Sequence, residues 1–444
     1  MKRRKKETWI CGSLCALLLA GMGLLYTDGY RQLMPSYRDS VTIGVFSDSY
    51  WEVQNGYSYR ILEDAAALFE ETHPGVQVEY VSGILKEDYS EWLAEQLLSE
   101  DAPDVFFVLS EDFNDFAEIG ALKSLTELME QDPGFEKEDF YSSAYAYGQY
   151  NGTQYSLPYE CAPKLMFVNK TILDREGIAV PDETWTWDEF YEICRKVTKD
   201  TDANGLPDQF GVVGYTWKEA FDANGVKLFD KKGTECFFAD DKVEPALVFL
   251  EKLEGQNDGY TATTKDFDLG NVAFQPMLFS EYRAYKPYPL SVKKYSGFEW
   301  SCIPMPAGPN GENISMLDTL LIAMNADTKK EGYAWDLMKI LTCEPKIQAE
   351  IFRYSEGVSV LKEVTESEET LKRLLEDSGD GNRLNLQILS DAVEHAVVAP
   401  RFRKYEGAVA EVDRAVADIM EGSSNIRMEQ IIWNRALNRY LEGK

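Results

Sequence analysis

Asp200-Thr-Asp202-Ala-Asn204-Gly205-Leu206-Pro-Asp208 sets oxygen-bearing residues at alternate positions and a glycine at the sixth. This is the first part of an EF-hand-type loop. In such a loop Asp200, Asp202, Asn204, the Leu206 carbonyl and Asp208 would surround a hard cation such as Ca2+, in a structural role. The twelfth position is Gly211 where a bidentate glutamate is usual, with Gln209 as a partial substitute. The same residues also make an ordinary metal-free turn, with Asp and Asn capping the chain and the glycine at positive φ.

Turnover chemistry finds less material. The chain has only two histidines, His73 and His395, so a Ser-His-Asp relay or a zinc site has little to build on. Glycoside hydrolysis needs two carboxylates, and among 76 acidic residues no spacing singles out an acid and a nucleophile. Flat rings and planar polar groups are plentiful, with 9 Trp and 25 Tyr. Aromatic faces cover the apolar sides of sugar rings, and planar polar side chains meet the hydroxyls. The candidates are Tyr50 and Trp51 after the first strand, Asp112 after the third, Tyr159 and Glu160 where the second lobe starts, Tyr215 and Trp217 at the end of GVVGY, and Phe274 and Gln275 within GNVAFQPM. Core or surface packing is the competing role for each. Trp185 and Trp187 open a helix and read as packing residues.

The elements that must hold these residues follow from periodicity. VTIGVF at 41–46 reads as a buried strand, and apolar spacing over 58–72 predicts a helix stopped by His73-Pro74-Gly75. VQVEYV (76–81), a helix over 88–99 and VFFVLS (105–110) continue the alternation, which implies an α/β lobe with a largely parallel sheet. Ligands of such sheets sit beyond the C-terminal strand ends, which singles out the loops at 47–51 and 110–112. A second lobe starts near Leu157-Pro158, with strands at 164–169 and 210–215 and helices from about 187 and over 243–254. The Pro/Gly-rich IPMPAGPNG (303–311) crosses back, LLIAMN (320–325) adds a strand and 333–341 a helix. Helical periodicity dominates from about 366 to 440.

A length of 444 residues exceeds one core and implies two or three lobes. The net charge of −31 repels phosphate backbones, which argues against nucleic-acid binding. Lys2, Arg3, Arg4, Lys5 and Lys6 precede an apolar run from Trp9 to about Tyr26, the pattern of a secretion signal. The run is long enough for an uncleaved membrane anchor, and Gly21 and Gly23 offer only a poor cleavage site. Cys15 departs from a lipobox, since Gly12-Ser13-Leu14 precede it and most of the apolar run follows it. The remaining cysteines, Cys161, Cys194, Cys236, Cys302 and Cys343, lack metal-ligand spacing and read as buried free thiols.

Several segments resemble the family 1 solute-binding proteins of ABC importers, the maltose-binding-protein-like group. ETWTWDEFYEICRKVTKDTDANGLPDQFGVVGY (183–215) carries the strongest likeness. GTQYSLPYE (152–160), LMFVNKTILDREGI (165–178), APDVFFVLSEDFNDFAEIGALKSLTELM (102–129), GNVAFQPM (270–277, the counterpart of a family helix) and CIPMPAGPNG complete the family order. The resemblance implies a two-lobed α/β clamshell of the periplasmic-binding-protein-like (type II) kind. It would capture a carbohydrate in an interlobe cleft and deliver it to ABC permease subunits, attached to the membrane through its N-terminal segment. A tethered sugar sensor and a carbohydrate-active enzyme are the alternatives. The implied division is 1–26 signal or anchor, 27–39 linker, 40–158 first lobe with 304–345, and 159–303 second lobe with 346–444. Hinge crossings are expected near 158–162, 302–306 and 342–348. Phosphorylated ligands, which the family also takes, would call on Arg283, Lys286 or Arg403.

Overall fold

The computed structural model describes residues 39–51, 57, 59–257, 259–284, 298–378, 385–422 and 425–443. The basic cluster, the apolar run, Cys11, Cys15, Lys286 and most of the linker lie outside the described residues. Its strands are β1 (Asp39–Ser47), β2 (Val76–Leu85), β3 (Val105–Val108), β4 (Gln149–Tyr150), β5 (Thr153–Gln154), β6 (Ser156–Asn169), β7 (Phe210–Val212), β8 (Val272–Leu278), β9 (Trp300–Ile303), β10 (Leu317–Met324) and β11 (Val358–Ser359).

The apolar and β-branched run of β1 is buried because both its edges are occupied. It pairs in parallel with β2 and with β3. Helix Arg60–Thr72 makes the β1-to-β2 crossover and ends where Gly75 takes φ 90°, while helix Lys86–Leu98 leads from β2 toward β3. β10 returns antiparallel between β3 and β6, so the first lobe is parallel on one side only.

β6 is the spine of the molecule. Residues 156–163 pair with β10, whereas Lys164–Val168 pair with β8 and Met166–Asn169 with β9. One unbroken ladder order, β2-β1-β3-β10-β6-β8-β7, therefore runs through both lobes, and β6 belongs to each by halves. Burial still divides in two. One core gathers β1, β3, β10 and the first half of β6, and extends over one face of the second half. The other packs Met166, Val168, Trp185, Phe190, Phe221, Leu247 and Phe274 beneath helices Tyr405–Glu421 and Ile426–Glu442.

Three expectations differ from the structure. GNVAFQPM is strand β8, because Pro276 forbids an internal helix and the segment fills the place between β6 and β7. The strand expected over 210–215 ends at Val212, and Gly214 takes φ 75° as the chain turns into the next helix. Residues 346–396 pack with the first core: Ile347, Ile351, Phe352, Leu374, Ile388 and Leu389 are buried there, and β11 pairs with β6. The third crossing accordingly lies at about 397–404, where Val397 bridges Met316 and Phe402 enters the second core. Among the described residues no helix is long and apolar enough to cross a membrane. Cys161, Cys194, Cys236 and Cys302 are buried free thiols and Cys343 is partly buried.

Candidate functional site

The chain leaves β1 through Asp48, whose φ of 72° turns it sharply. Tyr50 and Trp51 follow as an edge-to-face pair with centroids 4.7 Å apart, each 6% exposed. The Tyr50 hydroxyl donates to Asp318 Oδ1 on β10 at 3.0 Å. Lys86, opening helix Lys86–Leu98, donates to the Tyr50 carbonyl at 2.6 Å and lies 4.8 Å above its ring. Burial, then the Asp318 and Glu111 charges, push the Tyr50 hydroxyl well above the usual phenol range, so it stays a donor. The same corner is reached from β3, after which Ser110 and Glu111 precede helix Phe113–Glu118. Asp112 turns away from it and accepts from the Ser90 hydroxyl at 2.5 Å, its carboxyl pushed up to about 6 by burial.

On β6, the ladder to β10 shifts register at Tyr159, with Leu320 opposite Glu160 and Leu321 opposite Pro158. Tyr159 packs on Phe107 at 4.9 Å in the first core. Glu160, 3% exposed, accepts from Ser355 and faces Gly357, where an added Cβ would meet Glu160 Oε2 at 2.4 Å and Trp51 Nε1 at 3.0 Å. Only glycine allows that approach. Burial and the nearby Glu356 raise the Glu160 carboxyl to about 7, against the Ser355 donor, the neighbouring Trp51 indole and the Arg283 charge, which favour the ionised form. Arg283, also buried, donates to the carbonyls of Gly357 at 2.5 Å and Phe352 at 2.7 Å.

The second lobe presents Trp217 at the start of helix Trp217–Ala223, capped by a Thr216–Glu219 box. Its indole N–H donates to Asp413 Oδ1 at 2.7 Å, and the ring is half-buried against Phe221. Glu219 is buried and pairs with Lys164 of β6 at 2.7 Å. Burial pushes Glu219 up, but Lys164 and Thr216 outweigh it and hold the carboxyl below its ordinary value. Other expected residues go elsewhere. The Tyr215 hydroxyl accepts from Trp187 Nε1 at 2.9 Å, and its ring lies edge-on to Phe190 in the second core. Phe274 is fully buried between Trp185 and Phe190, each 5.4 Å away, so its ring is no cleft surface. Gln275 lies on the opposite face, beside Phe167 across the ladder, with Oε1 unpartnered among the described residues. Trp187 stacks on Phe249 at 4.3 Å, a packing residue as expected.

The third crossing contributes a residue that the sequence reading passed over. Arg401 is 8% exposed, lies 4.6 Å over the Tyr147 ring and donates from Nη1 to Ser110 O at 3.3 Å. Glu406 follows at the start of helix Tyr405–Glu421, its carboxyl raised by burial first and by Glu111 second. Arg403 is exposed and pairs with Asp115 at 3.6 Å. Tyr50 and Trp51 thus meet Asp318 and Arg401 at one corner, backed by Glu160, whose carboxyl is turned to Ser355 and Gly357, while Trp217 packs on the second core. The group combines aromatic faces with donors and acceptors, which suits a polyhydroxylated ligand.

The Asp-rich loop closes on itself. Asp200, Asp202 and Asp208 each offer an oxygen, all within 4.8 Å of one another. Gly205 N donates to Asp200 Oδ2 at 2.6 Å and Thr201 N to Asp208 Oδ1 at 2.8 Å, while Asn204 Oδ1 accepts from Leu206 N. Ala203 and Gly205 take φ of 61° and 90°. The donor set fits a hard cation; its carboxylates also serve as backbone caps.

Residues 54–344 match the family of bacterial extracellular solute-binding proteins. An uncharacterized lipoprotein of Streptomyces antibioticus is 26% identical over 285 residues. The chain spans about 60% of that curated relative's length, and the match covers 60% of the chain itself. Among solved structures, the cyclic alpha-maltosyl-1,6-maltose binding protein of Arthrobacter globiformis superposes with a TM-score of 0.74 at 17% identity, over 91% of this chain and 99% of that one. The sugar-binding protein MalE of Xanthomonas citri gives 0.73 at 15%, over 91% and 98%. An ABC substrate-binding protein of Listeria monocytogenes, in complex with cycloalternan, gives 0.68 at 18%, over 91% and 99%. At these identities the likeness is one of fold, the two-lobed α/β architecture described above.

Proposed function

Because this chain belongs to the bacterial extracellular solute-binding proteins, we propose that it captures a carbohydrate between its lobes, outside the cytoplasm, and delivers it to an ABC importer. One observation carries the ligand class: the buried Tyr50–Trp51 corner stands among the Asp318 carboxylate and the Arg401 guanidinium, with Trp217 on the other lobe. Sugar hydroxyls donate and accept at once, so a site with both kinds of partner beside a flat ring serves them better than it serves an apolar ligand. The sugars named for the fold relatives support the same class, and the Listeria protein's description supports an importer as partner.

The three crossings, at β6, at about 304–316 and at about 397–404, are the hinge about which the lobes would close. The Lys164–Glu219 pair spans the spine strand and the second lobe at that hinge. The N-terminal apolar run is the proposed membrane attachment, and the lipoprotein relative is in keeping with a surface location. Fractionation should recover the full-length chain with membranes, whereas a soluble form beginning after residue 23 would refute an anchor. A structural Ca2+ in the 200–208 loop completes the proposal.

The ligand class is tested by thermal shift of the full chain with glucose, tagatose, maltotetraose and cycloalternan. At 100 times the dissociation constant a ligand stabilises the native state by about 2.7 kcal/mol. A rise in melting temperature with at least one of these sugars is expected, and none with any of them would overturn the reading.

A further inference from the structure

Arg401 is more than nine-tenths buried, yet its guanidinium is only partly used. Nη1 donates to Ser110 O at 3.3 Å, while Nε and Nη2 have no hydrogen-bond partner among the described residues. Those two N–H groups project side by side from one edge of the planar group, the edge that makes two parallel hydrogen bonds. The plane itself is held by Tyr147 at 4.6 Å and Phe113 at 5.5 Å, so the fork is oriented before any ligand arrives. Leaving two donors of a buried cation unused is costly, and the cost is removed when acceptors meet them.

We propose that Arg401 is a specificity-determining residue of the cleft, its Nε–H and Nη2–H holding two adjacent oxygens of a neutral sugar. The neighbours decide between a neutral ligand and an acidic one. Asp318, Glu406 and Glu111 stand near Arg401 and Tyr50. A carboxylate on the ligand would satisfy the fork but would enter the field of these acids. An adjacent pair of hydroxyls accepts from the fork and donates to the acids, so both halves of the site are used. Arg283 and Arg403 play no such part, one donating to carbonyls of the first lobe and the other exposed on Asp115.

This inference rests on the carbohydrate reading above, and the experiment separates the two. Titration calorimetry compares wild type, Arg401→Lys and Arg401→Met with the tightest-binding of the four sugars and with glucuronate. Lysine keeps the charge and loses the fork, whereas methionine loses both. Both variants are expected to bind the neutral sugar on the order of thirtyfold more weakly or worse, with the melting temperature of the free protein not lowered. Wild-type affinity in Arg401→Lys would overturn the fork, since charge alone would then suffice. So would wild-type affinity in Arg401→Met. Preference of wild type for glucuronate over every neutral sugar would overturn the neutral class. Absence of binding to any of the four sugars would refute the carbohydrate reading, and the role of Arg401 with it. Should Arg401→Met fail to fold, Arg401→Lys alone decides.

Discussion

Replacing Glu160 with glutamine should stabilise the free protein about 2 kcal/mol more at pH 8 than at pH 5. Glu160 lies on the strand shared by both lobes, accepts from Ser355 and is 3% exposed. Burial, with Glu356 beside it, raises its carboxyl from 4.5 to about 7. The sign follows from proton binding. Between those two values the folded chain keeps a proton that the unfolded chain has released, so rising pH favours unfolding. Nothing is lost below pH 4.5, and the full penalty is present above about 7. At 1.36 kcal/mol per pH unit it reaches about 3 kcal/mol at pH 8, against about 1 kcal/mol at pH 5. Glutamine carries no proton to lose, and its carbonyl can accept the Ser355 bond. Urea unfolding of both proteins at pH 5 and pH 8 measures the difference, and the comparison cancels every other titrating group. Parallel stability curves would refute the account of Glu160 as a buried hinge carboxyl whose desolvation outweighs its partners. Sugar affinity should stay within about threefold, because the carboxyl is turned to Ser355 and Gly357; a loss above tenfold would make it a ligand contact.

Trp217→Ala should weaken sugar binding by about 2–3 kcal/mol, roughly thirtyfold to hundredfold by calorimetry, and unchanged affinity would make Trp217 a packing residue only. Lys164→Met leaves the Glu219 carboxylate buried without its counter-charge and should cost about 3–5 kcal/mol in chemical denaturation. The double change Lys164→Met with Glu219→Gln should recover part of that loss, and no recovery would mean the lysine acts through packing. Millimolar CaCl2 should raise the melting temperature relative to EDTA, and Asp202→Asn should abolish the rise; identical curves with and without Ca2+ would leave the 200–208 loop a plain turn.

The fold was readable wherever local pattern and tertiary role agree. The apolar run of β1 and the His73-Pro74-Gly75 stop specify their elements without reference to anything distant. Reading failed where a segment's state is set by its neighbours. GNVAFQPM has no strand alternation, and it becomes a strand because β6 and β7 lie on either side of it. The helices after residue 345 are amphipathic in either lobe. Their placement depends on β11 adding to β6 at Cys161 and Glu160, a pairing across about two hundred positions that no local signal announces.

The site divides along the same line. Strand ends pointed to Tyr50 and Trp51, because a parallel sheet offers its C-terminal edge whatever the rest of the chain does. Strand ends could not separate a ring that faces the cleft from one that faces a core. Thr186-Trp187-Asp188-Glu189 and Thr216-Trp217-Lys218-Glu219 build the same capping box. Yet Trp187 is stacked on Phe249, whereas Trp217 stays half-exposed against Asp413. What differs is the element packed above each helix start, contributed by residues 60 to 200 positions away. Arg401 and Arg403 show this most sharply. They are two residues apart in one crossing and equal in chemistry, yet one is buried on the carbonyl of Ser110 and the other is open to solvent. A binding residue on a hinge crossing acquires its role from both lobes at once, so only the assembled cleft distinguishes it.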